Sequence, residues 1–207
     1  MESALAQTYR PIEILVVDDG SKDNTPEVMQ AYAGNPLVQY IRQENKGLPA
    51  ARNTGIRAAK GKYIALLDAD DVWEPEKLER QVEFYEQHTE AALVATESYE
   101  FDFTTPSRFA APKKPDLGGR AASSAIPFNE YTLRDLMEFS AFRPSSVVMR
   151  RDLCEAVGLF DEQFRYVEDL DMWARLTTVG RIYRINAPLL GARNHPAVQS
   201  MHFQPHI

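Results

Sequence analysis

The sequence predicts an α/β fold, in which mostly parallel strands are joined by right-handed crossover helices. Short β-like runs of apolar residues alternate along the chain with segments of helical periodicity. Glycine and proline mark the boundaries between these units, at 34–36, at Gly61 and at Pro75. Such alternation favours a Rossmann-like sheet flanked by helices.

The elements of the first half follow one another closely. Residues 2–7 are good helix-forming sequence without a cap or lead-in, so the chain is predicted to start within a helix. The next elements in order are a strand over 12–17, a helix over 26–33, a strand over 38–42, a helix over 49–59, a strand over 63–67 and a helix over 76–88.

The second half is less regular. A strand is predicted at 93–95, a helix at 131–139, a strand at 146–149 and a helix at 168–179. Residues 105–127 are rich in Pro, Ala, Gly, Lys and Ser without a steady period, which predicts a long flexible loop.

Length and composition limit the class of protein. With 207 residues, 44% of them hydrophobic, residues 1–207 are predicted to form a single domain. The net charge of −7 gives no general attraction to nucleic acid, which is not expected as a partner. Apolar runs are far shorter than the roughly 20 residues of a transmembrane helix. The single Cys154 favours a reducing compartment, so we predict a cytoplasmic protein.

An acidic turn follows the strand at 12–17. Asp18, Asp19, Gly20 and Ser21 stand where side chains at the carboxyl end of a parallel strand face a ligand in open α/β sheets. The same residue types also suit an ordinary turn or helix cap, and this first motif leaves both interpretations open.

A second acidic segment follows the strand at 63–67. It reads Asp68, Ala69, Asp70, Asp71, and on an extended chain the first and third side chains point to the same side. Clustered carboxylates favour a cation between them, and hard oxygen ligands suit Mg²⁺ or Mn²⁺. A loop that only caps the next helix is the alternative, although three acids exceed what a cap requires.

A third acidic segment, Glu168 and Asp169, stands at the predicted start of a helix. Acids in a first turn complement the helix dipole, which is an ordinary structural role. In a cleft, such a carboxylate can instead take a proton from an attacking hydroxyl.

Other polar and aromatic residues accompany the acids. Lys46 and Arg52 lie near a predicted helix start, where they can bind phosphate or remain solvated surface charges. His195 can return to the site as a metal ligand or phosphate donor, or stay an exposed histidine. Trp73 and Trp173 each follow an acidic segment and suit either a sugar-binding platform or the core.

Together these motifs resemble family 2 glycosyltransferases of the GT-A fold, and the match covers nearly the whole chain. The combination and order are specific, whereas each acidic motif alone is weak. The matching segments are residues 3–8, 16–21, 45–47, 51–55, 68–71 and 168–173.

The resemblance implies transfer of a sugar, with inversion, from a nucleoside diphosphate-sugar to a hydroxyl acceptor, in the synthesis of a polysaccharide or a glycoconjugate such as a lipid-linked glycan. It further implies that Asp19 binds the base, typically uracil, beside a turn shaped by Asp18. Asp68 would lie near the ribose or the metal-bound phosphate, Asp70 would hold Mn²⁺ or Mg²⁺, and Asp169 would be the general base. An enzyme of this kind can work peripherally at the inner face of the membrane.

The start of the chain departs from the family pattern. Family members begin with a strand that contacts the nucleobase, and the resemblance implies that this sequence is N-terminally truncated and lacks that first strand. The strand at 12–17 would then have an exposed apolar edge. One alternative function is therefore a non-catalytic nucleotide-sugar-binding remnant. Another is a metal-dependent phosphotransferase with an aspartyl nucleophile at Asp68, which leaves the other acidic motifs unexplained.

Overall fold

The computed structural model describes residues 1–101, 127–139 and 142–193 of the chain. The helices in this part are α1 (Glu2–Leu5), α2 (Thr25–Gln30), α3 (Leu48–Ala58), α4 (Lys77–Gln87), α5 (Leu133–Phe139), α6 (Arg151–Ala156) and α7 (Glu168–Leu176), with a 3₁₀ turn at Pro144–Ser146. The strands are β1 (Ile14–Asp18), β2 (Val38–Arg42), β3 (Tyr63–Ala65), β4 (Val72–Trp73), β5 (Ala91–Phe101), β6 (Phe128–Tyr131), β7 (Val148–Arg150) and β8 (Arg181–Arg193).

The described strands form a two-stranded and a six-stranded sheet. β1 pairs in parallel with β2, while the larger sheet has the order β3-β7-β5-β8-β4, with β6 also on β8. The parallel pairings of β1 with β2 and of β5 with β8 are the longest, and those of β7, β4 and β6 with their neighbours are antiparallel. Most paired residues are therefore in parallel register.

Helices cover both faces of the larger sheet, because successive strand residues point to opposite sides. Leu93 of β5 and Met149 of β7 pack with Trp173 of α7 in one core cluster. The neighbouring Val94 and Val148 pack in a second cluster with side chains of α4. The predicted α/β fold, a mostly parallel sheet between helices, is confirmed.

β1 and β3 lie at the facing edges of the two sheets. Within the described residues β1 pairs with β2 alone, and β3 with β7 alone. Glu13, directly before β1, accepts hydrogen bonds from the amides of Lys60 and Gly61, at 2.6 and 2.9 Å. Since these two amides shortly precede β3, the two strands begin side by side without a ladder between them.

Several elements were not predicted from the sequence: β4, β6, α6 and the 13-residue β8. β8 contains Pro188 and Gly191, which argue against a strand interior. The structure accommodates the proline where β5 shifts register, since Pro188 stands opposite Glu97 at the irregularity. The loop predicted at 105–127 lies outside the described residues, apart from Pro127. No helix in the described part of the chain is long and apolar enough to cross a membrane.

Candidate active site

Residues from four segments meet at the carboxyl ends of β1 and β3. The turn after β1 contacts the residues that lead into α3 through hydrogen bonds of Asp19 to the amides of Lys46 and Gly47. α3 in turn contacts the acidic segment after β3 and the start of α7, because Arg52 pairs with both Asp68 and Glu168. The structure therefore brings three separate acidic motifs to one edge of the sheet.

Asp18 is buried and fully engaged in shaping its turn. Its carboxylate accepts a hydrogen bond from the amide of Ser21 at 2.7 Å and another from the hydroxyl of Tyr40. The guanidinium of Arg42 lies 3.6 Å away. The bond from Tyr40 is the main cause that lowers the pKa of Asp18 to about 2. Asp18 is thus a stable anion held by its own chain.

Asp19 joins this turn to the segment before α3. One carboxylate oxygen accepts from the side chain of Gln43 at 2.7 Å and the amide of Lys46 at 3.0 Å, and the other from the amide of Gly47 at 2.8 Å. Gly20 has a φ of +77°, and a Cβ there would lie 3.0 Å from the amide nitrogen of Asn45. Only glycine therefore allows the two segments to approach this closely.

The acidic segment after β3 forms a tight turn, and not the extended chain assumed from the sequence. The amide of Asp71 donates to the carbonyl of Asp68 at 3.1 Å, which closes the turn around Ala69 and Asp70. The argument that alternate residues of an extended strand share one side therefore does not hold here. The carboxylates instead lie within one four-residue turn.

Two contacts that the sequence did not reveal hold this turn. Ser145, before β7, accepts a hydrogen bond from the amide of Asp68 through its hydroxyl at 3.0 Å and one from the indole of Trp73 through its carbonyl at 2.8 Å. At the end of β8 the amide of Arg193 donates to the carboxylate of Asp71 at 3.1 Å. Contacts of this kind depend on the antiparallel pairing of distant strands, for which the sequence carries no local signal.

Asp169 lies in the first turn of α7, half-buried beside Glu168. Its carboxylate accepts a hydrogen bond from the amide of Leu170 at 2.8 Å. Burial raises the pKa of Asp169, and the charge of Glu168 adds to the increase, while Arg52 opposes it. A carboxylate with a raised pKa is a better proton acceptor than an ordinary one, which suits a general base.

The residue before this helix has a strained backbone. Val167, the N-cap of α7, has a φ of 57° and a ψ of 20°. A β-branched residue rarely adopts this left-handed conformation, because its Cβ approaches the backbone too closely. Strain of this kind concentrates at functional sites, and here it stands two residues from Asp169.

Arg52 is buried, and its charge is shared between two carboxylates. Nη1 lies 2.7 Å from Glu168, and Nη2 lies 3.4 Å from Asp68. Burial raises the pKa of Asp68, and the nearby guanidinium partly offsets that increase. Lys46, the other expected phosphate ligand, has an exposed side chain.

The two tryptophans belong to the core. Trp173 is 2% exposed and packs edge-on against Phe160, with ring centroids 6.1 Å apart. Trp73 is 8% exposed, and its indole nitrogen is bonded to Ser145. Neither side chain is placed as a platform for a sugar.

The acidic turn has the right chemistry for a divalent metal, although the metal site stays a prediction. Asp70 lies in the turn between Asp68 and Asp71 and offers the hard oxygen ligands that Mg²⁺ and Mn²⁺ prefer. Within residues 1–101, 127–139 and 142–193, no group of three or more His, Cys, Asp or Glu side chains is arranged so that it could hold a metal ion. His195, the other predicted ligand, lies outside the described residues.

Solved structures show which fold the chain has. S. aureus TarS 1-349, in complex with UDP-GlcNAc, matches 95% of this chain and 54% of its own, with a TM-score of 0.73 and 19% identity. The mannosyltransferase PcManGT from Pyrobaculum calidifontis, in complex with GDP-Man and Mn²⁺, matches 90% of this chain and 49% of its own, with a TM-score of 0.64 and 19% identity. The chain thus has the GT-A fold of glycosyltransferases.

The family follows from the sequence comparisons. The model of glycosyl transferase family 2 matches residues 1–158, and the chain belongs to this family. An uncharacterized glycosyltransferase of Rickettsia prowazekii is 33% identical over 198 residues, which is 95% of this chain and 59% of that protein. The E. coli UDP-Glc:alpha-D-GlcNAc-diphosphoundecaprenol beta-1,3-glucosyltransferase WfaP is 29% identical over 184 residues, 87% of this chain and 64% of that protein. The chain therefore spans about three fifths of these relatives.

Proposed function

We propose that this chain is the donor-binding and catalytic part of a metal-dependent, inverting glycosyltransferase. Its donor is a nucleoside diphosphate-sugar with uridine as the nucleoside, and its acceptor is a hydroxyl group of a glycan or a lipid-linked glycan. The observation that carries the proposal is the position of Arg52, which lies 3.4 Å from Asp68 and 2.7 Å from the neighbour of Asp169. This position supports the proposal, because it holds the acid assigned to the donor and the acid assigned as proton acceptor within the length of one side chain.

The donor would lie along the carboxyl ends of β1 and β3. Asp19, fixed by the amides of Lys46 and Gly47, is assigned to the base, and Asp18 keeps its turn in shape. Asp68 is assigned to the ribose or the metal-bound phosphate. The exposed ammonium group of Lys46 is available to the diphosphate, because α3 begins next to it and helix starts favour anions.

Mn²⁺ or Mg²⁺, held by Asp70, would neutralise the charge that builds up on the departing diphosphate. Residues 194–207 lie outside the described part of the chain. His195 is proposed as a second ligand only because it follows the end of β8 by two residues. Arg193, two residues earlier, hydrogen-bonds to Asp71 of the acidic turn through its amide. This contact brings the end of β8 to the proposed metal.

Asp169 is proposed as the general base. As the acceptor oxygen forms its bond to the anomeric carbon, its proton passes to the carboxylate of Asp169. The bond between the anomeric carbon and the diphosphate oxygen breaks on the opposite side, and the diphosphate leaves with the electron pair. The configuration at the anomeric carbon is therefore inverted. The raised pKa of Asp169 supports the assignment, because it favours the proton transfer.

A named relative supports the proposed substrate class and the proposed cellular site of action. The E. coli relative is named as a UDP-glucose-dependent enzyme with a diphosphoundecaprenol-linked acceptor. An acceptor that carries an undecaprenol chain is held in a membrane by that apolar chain, and the single Cys154 fits the reducing cytoplasm. We therefore propose a cytoplasmic site of action, peripheral at the inner face of the membrane.

The test is turnover of a panel of UDP- and GDP-sugars with Mn²⁺ and simple glycan acceptors. The anomeric configuration of the product is followed by proton NMR. The proposal expects release of the nucleoside diphosphate and a product of inverted configuration from at least one UDP-sugar. Retention of configuration, or binding of UDP-sugars without transfer to any acceptor or to water, contradicts it. The second result favours a non-catalytic nucleotide-sugar-binding protein.

A further inference from the structure

Arg52 joins two acidic motifs that lie 100 residues apart in the sequence. Its two terminal nitrogens point to different carboxylates, Nη1 to Glu168 at 2.7 Å and Nη2 to Asp68 at 3.4 Å. The arginine side chain is 7% exposed, and that of Glu168 is 11% exposed. The guanidinium carbon lies 5.4 Å from the ring centroid of Phe160, which covers one face of the cation.

This arrangement leaves Arg52 poorly suited to a donor phosphate. A phosphate at the Nη1 or Nη2 side of the guanidinium would compete with Glu168 or Asp68, and Glu168, with a side chain only 11% exposed, would then lose part of its charge compensation. Leaving such a charge uncompensated is costly, commonly by several kcal/mol. The planar guanidinium, by contrast, presents its donors in a fixed fork that can hold two carboxylates at once.

We propose that Arg52 is a positioning residue that ties the acidic turn at Asp68 to the start of α7, and thereby sets the place and the charge environment of Asp169. This rests on the proposed function for the role of Asp169 as a base. It assigns to Arg52 a role different from the phosphate contact predicted from the sequence.

The charge environment gives the proposal a measurable consequence. Among the described residues, the charged groups with the largest effect on Asp169 are Glu168 on its own helix and Arg52 on α3. The two act in opposite directions, because the carboxylate disfavours ionisation of Asp169 and the guanidinium favours it. Loss of Arg52 leaves the charge of Glu168 unopposed, so the pKa of Asp169 is expected to rise.

The test follows the titration of the Asp169 carboxyl carbon by ¹³C NMR in the whole chain. Arg52→Met is expected to move the midpoint upward by roughly half to one pH unit. The double variant Arg52→Met/Glu168→Gln is expected to return it to near the wild-type value. Arg57→Met is the matched control, since Arg57 lies on the same helix, is 60% exposed and faces Glu162 at 3.7 Å. Its midpoint is expected to stay unchanged.

A stability measurement covers the case in which Arg52→Met does not fold. The double variant carries less unpaired buried charge, so its thermal midpoint is expected to lie above that of the single variant. A double variant that is less stable than Arg52→Met contradicts the bridge. An unchanged Asp169 midpoint in Arg52→Met, or a shift that Glu168→Gln does not reverse, also overturns the proposal.

UDP binding separates this proposal from the proposed function. A bridging Arg52 predicts that Arg52→Met shifts the Asp169 midpoint in nucleotide-free protein, whereas an arginine that served only as a ligand of a donor phosphate would leave that midpoint unchanged. Wild-type protein that binds no UDP contradicts the proposed function. The Asp169 titration still decides the role of Arg52 in that case, because it needs neither nucleotide nor turnover.

Discussion

The turns after β1 and β3 are both rich in aspartate, but their carboxylates are held in opposite ways. Asp18 is surrounded by hydrogen-bond donors of its own chain, and its pKa is lowered to about 2. Asp68, and Asp169 at the start of α7, are half-buried, and burial raises the pKa of each. The first turn therefore stabilises the ionised form of its aspartate, whereas burial destabilises the ionised forms of Asp68 and Asp169.

This difference indicates which acids serve the fold and which serve chemistry. The carboxylate of Asp18, which is satisfied by the amide of Ser21 and the hydroxyl of Tyr40, gains little from a ligand. A carboxylate that is poorly solvated gains from a nearby cation or from a proton. In the proposed reaction, the cation would be the metal that neutralises the departing diphosphate, and the proton would come from the acceptor hydroxyl. The backbone shows the same contrast, because positive φ falls on Gly20 in the first turn and on Val167 before α7.

The largest expected effect comes from removing the proposed base. Asp169→Asn keeps the shape of the side chain but cannot accept the proton, so turnover is expected to fall by roughly 10²- to 10⁴-fold. UDP binding is expected to stay within about threefold. Asp171→Asn is the control on the same helix, because Asp171 pairs with Arg175 and not with the site. Equal losses in both variants would show a structural effect and contradict the assignment.

The pH dependence of turnover tests the raised pKa of Asp169 directly. The base acts when it is ionised, so kcat/KM is expected to be constant above its pKa and to fall about tenfold for each pH unit below it. Because burial raises that pKa, the midpoint is expected above 3.8, the ordinary value for aspartate. Activity that persists unchanged below pH 3.8, in protein shown to be folded, contradicts a role for this carboxylate.

Stability should change in opposite directions in the two regions. Ionised Asp18 stabilises the fold, so Asp18→Asn is expected to lower the free energy of unfolding at pH 7 by about 1 to 3 kcal/mol. Because the folded pKa is about 2 and the ordinary value is 3.8, this difference is lost as the pH falls through that window. Ionised Asp169 costs stability at neutral pH, so Asp169→Asn is expected to raise it. Urea unfolding of both variants from pH 2 to 7 measures the two signs, and equal signs at pH 7 contradict the contrast.

The smallest effect concerns the backbone before α7. Val167→Asn places a residue that tolerates a left-handed conformation and suits an N-cap, so the free energy of unfolding is expected to rise by about 1 kcal/mol. Val28→Asn is the control, since Val28 is exposed but lies within the helix α2. Its stability is expected to change by less than about 0.5 kcal/mol. A fall in the stability of Val167→Asn would show that the strain is absent.

The fold could be predicted from sequence where the pattern is local. The strand at 38–42 was predicted with its observed bounds, and α3 begins one residue before its predicted start. The long β8 was missed, because Pro188 and Gly191 argue against a strand and only the irregular pairing with β5 accommodates them. Local propensity cannot show a partner strand that is distant in the sequence.

The candidate site shows the same limit. The acidic motifs were visible because each follows a strand or opens a helix, as ligand-facing acids do. The acidic turn is held by the hydroxyl of Ser145, in the 3₁₀ turn before β7, and by the amide of Arg193, at the end of β8. Both reach the turn only because β7 and β8 pair with strands that are distant in the sequence. The partners of Arg52 were equally hidden, since a charge near a helix start indicates a phosphate site as readily as a buried ion pair.

The most direct test of the donor site is calorimetric titration of UDP with Mn²⁺ into wild-type protein and into Asp70→Ala, with a chelator experiment beside them. We predict binding by the wild type that is lost on chelation and weakened by at least about tenfold in Asp70→Ala, or about 1.4 kcal/mol. Binding that survives both the chelator and the substitution would contradict the metal assignment. Folded wild-type protein that does not bind UDP would contradict the nucleotide site itself.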